Sequence, residues 1–326
     1  MKRSIIPVPA PWPAGPRARP GLRRRWVKIA LAFTVAAALA GSSCTVVPSA
    51  AALIASVCNG TWTFSTTGPV ADPSLNEISG VVTSRAHSGV LWVHEDSGAP
   101  PRFFALSTAG SVLGSFDVTG ASAIDWEDVA IGPGPQAGIT YLYLGDIGDN
   151  AAARPSVAVY RVPEPAVDAS GPPVGAQAVS GDRLTLTYPD GAHNAESLLV
   201  DTNGDLYILT KQAGSATIYF APAGLAGGST TALTRAGTVA LSGSQLLTGG
   251  EVSPAGDAIV LRTYGQALAW NRAPGTSVAA TLESSRCEAD LHSEPQGEAV
   301  AFQPDASGLV TLSEGVNQSI GNYRAP

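Results

Sequence analysis

The chain has 326 residues, 14% of them charged, with 19 Lys and Arg against 26 Asp and Glu and a formal charge of −7 at neutral pH. Eight of the basic residues precede residue 29 with no acidic residue among them, so residues 41–326 hold 11 basic against 26 acidic groups, a formal charge of −15. A body this acidic repels nucleic acid and anionic membranes and favours cations, while three cysteines without a CxxC exclude thiolate metal sites.

Residues 1–40 join that basic start to the apolar run "IALAFTVAAALA" and the small-x-small site Ala38-Leu39-Ala40. Twelve apolar residues are too few to span a bilayer, so the segment reads as a removed export signal and the mature protein has no membrane span. "RRRWVK" (23–28) resembles a twin-arginine motif, with Leu22 where that motif prefers a polar residue; the twin-arginine and general secretory routes both stay open. Cys44 suggests a lipoprotein, but Gly41 stands where a lipobox needs an apolar residue, so a secreted, extracellular protein is the first expectation and a cell-surface lipoprotein the second. Residues 41–57 read as a flexible mature N-terminus and 58–326 as one domain.

From there the apolar segments are short, β-branched or aromatic, and bounded by turn residues: "GVLWV", "RFFAL", "SVLGSFDV", "ITYLYL", "SVAVYRV", "RLTLTY", "DLYILT", "TIYF" and "DAIVLRT". Many short strands at regular spacing predict an all-β architecture. One pattern recurs five times, a polar or acidic residue four places before an apolar one: Glu77 to Val81, Glu127 to Ile131, Glu196 to Val200, Thr248 to Val252 and Glu298 to Phe302. The copies are about 50 residues apart, the content of a four-stranded propeller blade. Five blades are expected, with six as the alternative.

The turns "DTNGD" (201–205), "SPAGD" (253–257) and "PDASG" (304–308) fall at matching places in three copies. "DTNGD" also resembles the start of a calcium loop, but it lacks the following glycine and distal glutamate, and a hairpin turn is expected. The long second copy places an outer loop over 163–181. The last copy has three strands, so "GTWTFS" (60–65) is expected to close the ring, bringing Cys58 and Cys287 to one seam as a disulfide in an oxidising compartment.

In a propeller the starts of the inner strands and the ends of the second strands crowd one rim. Glu77, Glu127, Glu196 and Glu298 therefore converge on the axis as candidate metal ligands, and the oxygen-only donor set suits Ca2+. Thr248 breaks the symmetry, and Glu251, three residues on, is left outside the first rank. A hub neutralised by Lys211 and Arg262, or a solvated funnel, are the alternatives to an ion. Lys211, Arg262, Tyr264 and Glu314 at second-strand ends are candidate substrate contacts. His94 in "WVHEDSG" and Asp146 in "YLYLGDIGDN" are the candidate proton carriers, with His193 and His292 behind them. No G-x-S-x-G, HExxH or P-loop is present.

The stretches "NEISG", "WVHEDSG", "DWEDVAIGPGP", "YLYLGDIGDN", "VYRVPEP", "LRTY" and "QGEAVAF", spread over residues 70–320, resemble a family of secreted actinobacterial proteins of unassigned activity, themselves expected to be β-propellers. More distantly the acid-led strands are similar to calcium propellers of the phytase-like and lactonase-like kinds. That resemblance implies metal-assisted hydrolysis of a phosphoester, with Lys211 and Arg262 on the phosphate, or of a lactone, with Glu77, Asn194 and Asp146 on calcium. Two other functions stay open: a non-catalytic module, expected to be monomeric in common with the hydrolase, that binds a glycan, small molecule or protein through exposed groups such as Trp126, and a glycosidase using Glu127 and Glu298.

Overall fold

The period of about 50 residues becomes five sheets set around one axis in a computed structural model that describes residues 50–96 and 98–326. The expected export segment and Cys44 lie outside the described residues. The inner strands of blades 1 to 5 are Ile78–Thr83, Trp126–Pro133, Ala195–Val200, Leu247–Val252 and Gln296–Phe302. They pack side by side around the ring. Each pairs antiparallel with a second strand, Val90–Glu95, Thr140–Asp146, Leu206–Thr210, Ala258–Thr263 and Gly308–Glu314. Strands buried on both faces need small and branched side chains throughout, which is why "SGVV", "SLLV" and "AVAF" read as unbroken apolar runs.

The core is divided among the five gaps between blades. Trp92, Phe103 and Phe116 of blade 1 meet Trp126, Val129 and Leu144 of blade 2, and comparable clusters fill the other four gaps. Trp126 is buried, with its indole N–H donating to the Ser122 carbonyl at 3.0 Å, which removes it from the exposed binding groups that the sequence suggests.

The segments between strands cover the seams from outside. The long loop of blade 2 carries a strand, Ala176–Ser180, that pairs in parallel with Val112–Thr119 of blade 1. Blade 3 likewise sends Thr230–Ala232 back onto Asp182–Thr187 of blade 2. The helix Val278–Leu282 of blade 4 packs on blade 3. Thr63–Thr67 pairs with Ile320–Arg324 and completes blade 5, closing the ring as expected.

The helix Ala50–Asn59 covers the seam of blades 4 and 5, where the sequence suggested a flexible end. Ala50, Leu53, Ile54 and Val57 form its buried stripe at spacings of three and four. The Cys58–Cys287 disulfide ties it to blade 4. Among the described residues no helix is long and apolar enough to cross a membrane.

Candidate functional site

All five blades share one irregularity. Where the inner strand meets the second strand the ladder slips by one residue, leaving Ser79, Glu127, Glu196, Thr248 and Glu298 unpaired at equivalent places. A bulge re-aims the side chain of its extra residue. This register corrects the alignment of Glu77: its equivalent is Asp125, and Ser79 holds the bulge of blade 1.

The two hydroxyls act as clasps between neighbouring blades. Ser79 Oγ donates to the Glu127 carbonyl at 2.6 Å, and Thr248 Oγ1 to the Glu298 carbonyl at 3.0 Å. Bulge carbonyls lack a ladder partner, so a hydroxyl on the preceding blade satisfies them. Glu127, Glu196 and Glu298 instead carry carboxylates, each almost wholly buried.

Two further tiers stand beside the bulges. Glu77, Asp125, Asn194, Leu246 and Gln296 lie two residues before them, and Asp96, Ile147, Lys211, Tyr264 and Glu314 follow the second strands. The fifteen positions hold seven carboxylates and one lysine. In Glu127, Glu298 and Glu314 burial is the first cause of perturbation and repulsion by another carboxylate the second. Glu127 is pushed up to about 11 by burial, with Glu196, Asp96 and Asp125 adding to the effect. Burial and Glu196 take Glu298 to about 7, and burial with Glu298, Glu77 and Asp96 takes Glu314 to about 8. Glu196 rises to about 7 through burial although Lys211, ion-paired to it, pulls the other way.

Asp96, Asp125 and Glu127 bring one carboxylate oxygen each within 4.8 Å of one another. Their positions are built by the loop "DIGDN". Asp146 Oδ1 accepts from the Asp125 N–H at 3.0 Å, the Gly148 N–H donates to the Asp125 carbonyl at 3.1 Å, and Arg154 bridges Asp146 and the Gly148 carbonyl at 3.0 and 2.6 Å. A Cβ on Gly148 would collide with Glu127 Oε1 and Asp125 Oδ2, so the missing side chain leaves the space into which both carboxylates point. An oxygen-only donor set of this kind fits a hard cation, calcium above all, and gives zinc no nitrogen or sulfur ligand.

Below this rim Asp128 occupies the channel. Its carboxylate accepts from Val129 and Leu198 N–H groups, both at 2.9 Å, joining blades 2 and 3. Glu251 points to the other mouth, where it accepts from Arg85 at 3.0 Å and from the Phe302 N–H at 2.5 Å.

The remaining expected residues are dispersed. His94 is fully buried beside Gly80, edge-on to Trp126 at 5.8 Å, and burial lowers its pKa. Asp146 is also fully buried and holds Arg154 and Asp125 in place. Arg262 has no exposure: it is ion-paired with Glu294 and donates to the Ala299 carbonyl at 2.8 Å, so it neutralises none of the bulge glutamates directly. Lys211 and Tyr264 do meet at the rim, with Nζ 5.2 Å from the ring centre. His193 forms a separate cluster with Asp190 and Tyr219, and His292 stacks on Phe64.

Asp96, Asp125 and Gly148 are the site residues that the sequence reading left out of the ligand set. The signal for Asp125 was its place two residues before a bulge glutamate, the same place Glu77 holds. Gly148 had no such signal.

No protein-family model matches the chain, and no curated protein matches it. Among solved structures it is similar to one described as a luciferin-regenerating enzyme, with 10% sequence identity over 80% of this chain and 95% of that chain and a TM-score of 0.45.

Proposed function

We propose that the protein is an exported, calcium-dependent hydrolase whose substrate, a phosphoester or a lactone, enters the acidic funnel. The observation that carries the reading is the trio Asp96, Asp125 and Glu127, with one oxygen each inside 4.8 Å and a glycine holding the space open. Three carboxylates so close, two of them buried, repel one another strongly unless a cation or protons intervene. The ionic-hub alternative loses part of its support, because Arg262 is ion-paired with Glu294 and reaches Glu298 only at a distance, while Lys211 is ion-paired with Glu196.

Asp96, Asp125 and Glu127 would hold the ion, and a bound calcium would supply Lewis-acid polarisation of the ester oxygen. Glu298 is the group placed to take a proton from an attacking water. It holds the bulge position of blade 5, next to blade 1 and Asp96, its Oε2 has no hydrogen-bond partner, and burial sets it near neutrality, where a general base works best. Glu298 takes over the role that the sequence gave to His94 and Asp146, both of which are enclosed. Lys211 and Tyr264 form the opposite wall and orient the substrate. The Cys58–Cys287 disulfide supports a place outside the cytoplasm.

The test is metal analysis of the full chain, thermal unfolding with and without chelator, and turnover of phosphoester and lactone panels. Stoichiometric calcium and chelator-sensitive turnover are expected. A metal-free protein whose unfolding and turnover ignore the chelator overturns the reading.

A further inference from the structure

We infer that the funnel selects an uncharged carboxylic ester, lactones included, carried on an apolar body, and excludes phosphate esters. This rests on the hydrolase reading and narrows its substrate class.

Charge supplies the first argument. A phosphate ester brings one or two negative charges and needs cationic or N–H donors to hold them. Of the basic side chains at this end of the channel, Lys211 is ion-paired with Glu196, Arg154 is held by Asp146 and the Gly148 carbonyl, and Arg262 is sealed against Glu294. Against them stand Glu77, Asp96, Asp125, Glu127, Glu298 and Glu314, and even with Glu298 and Glu314 protonated the four other carboxylates outnumber the charge of one divalent cation. An incoming dianion is repelled by every uncompensated carboxylate, whereas a neutral ester is not.

The second argument is independent of charge. Three large apolar or aromatic side chains are exposed on the same rim: Ile124 at 56%, Tyr264 at 40% and Val316 at 51%. Ile124 directly precedes Asp125, Tyr264 lies against Lys211, and Val316 is two residues past Glu314. They therefore stand at the acid-bearing end of the ring, on blades 2, 4 and 5. An apolar margin around a polar centre suits a substrate with a polar reacting group and an apolar tail.

The experiment uses the calcium-loaded full chain. Turnover is compared for 4-nitrophenyl butyrate, 4-nitrophenyl hexanoate and 4-nitrophenyl phosphate. Calorimetry compares binding of two molecules that cannot be hydrolysed, N-phenylhexanamide and phenylphosphonate. The expected results are a kcat/KM for hexanoate about a hundredfold above phosphate and at least several-fold above butyrate, and tighter binding of the amide by about tenfold. Ile124→Ser and Val316→Ser should each weaken the amide about threefold to tenfold while calcium affinity stays unchanged.

Phosphonate binding as tightly as the amide, no dependence on acyl length, or binding of neither molecule overturns the inference. Absence of turnover or of a calcium heat would instead strike the hydrolase reading, since the amide and phosphonate ranking is read without catalysis.

Discussion

Gly148→Ala isolates the cation site without touching a ligand. Gly148 has an ordinary backbone conformation, so alanine adds no torsional strain. Its Cβ would stand 2.5 Å from Asp125 Cγ, against an ordinary contact of 3.4 Å or more, so the carboxyl must retreat by about 0.9 Å. Metal–oxygen distances tolerate about 0.2 Å, so at least one carboxylate leaves the ion. Loss of a positioning contact of this kind weakens metal affinity by about tenfold to a hundredfold.

Calcium at a hundred times the wild-type Kd stabilises by about 2.7 kcal/mol, and a thirtyfold weaker site by about 0.9 kcal/mol at the same concentration. At about 2 °C per kcal/mol the calcium-induced rise in Tm drops from about 5 °C to about 2 °C. Calorimetric titration of chelator-treated protein measures the same change directly. Gly265→Ala, at an open rim position, is the control and should bind normally. Wild-type calcium affinity in Gly148→Ala would show that Asp125 and Glu127 are not ligands.

Cation-free protein should lose stability as pH rises from about 4.5 to about 8, and less steeply beyond, where Glu127 alone of the bulge glutamates keeps its proton up to about 11. Glu196 and Glu298 titrate near 7 and Glu314 near 8 when folded but near 4.5 when unfolded. Between those values the unfolded chain has released protons that the folded chain still holds, so the folded state is the one penalised; a Tm in chelator that climbs from pH 5 to 8 contradicts this. Calcium affinity should climb with pH up to about 11, because the proposed ligands Asp125 and Glu127 bind the ion as carboxylates and burial holds both up, Glu127 to about 11. Lys211→Met strands Glu196 and should cost about 3 kcal/mol above pH 7, most of it recovered by adding Glu196→Gln, as denaturant melts of the four proteins would reveal. Replacing Cys58 and Cys287 together by alanine should cost about 2–4 kcal/mol, read from the same melts under non-reducing conditions.

The blades were legible because burial on both faces forces apolar runs and the runs repeat. The bulge was not, because a one-residue slip leaves no mark in hydropathy. Glu77 and Ser79 are both polar residues before "GVV", and only the pairing of Ile78 with Glu95 and Gly80 with His94 shows which is extruded. Arg262 failed for a different reason. Its position at the end of a second strand was read correctly, but Glu294, on the loop before blade 5, reaches it first. The helix over Ala50–Asn59 did have a signal, the stripe of Ala50, Leu53, Ile54 and Val57, hidden by its nearness to the export segment.

Four seams of the propeller are crossed from outside, by Ala176–Ser180, Thr230–Ala232, the helix Val278–Leu282 and the disulfide-tied helix Ala50–Asn59, and the fifth is joined at the rim by the bond from the Gly315 N–H to the Asn76 carbonyl. These straps act as hoops on a barrel, and what they fix is circumference. Asp96 on blade 1 faces Asp125 and Glu127 on blade 2 across one strapped seam, so the proposed ligands cannot draw inward together by the roughly 0.3 Å per ligand that separates calcium from magnesium. Choice of the proposed ion would then follow from the width of that strapped seam, set some distance away from any atom that would touch the ion, and magnesium should fail to replace calcium even in excess.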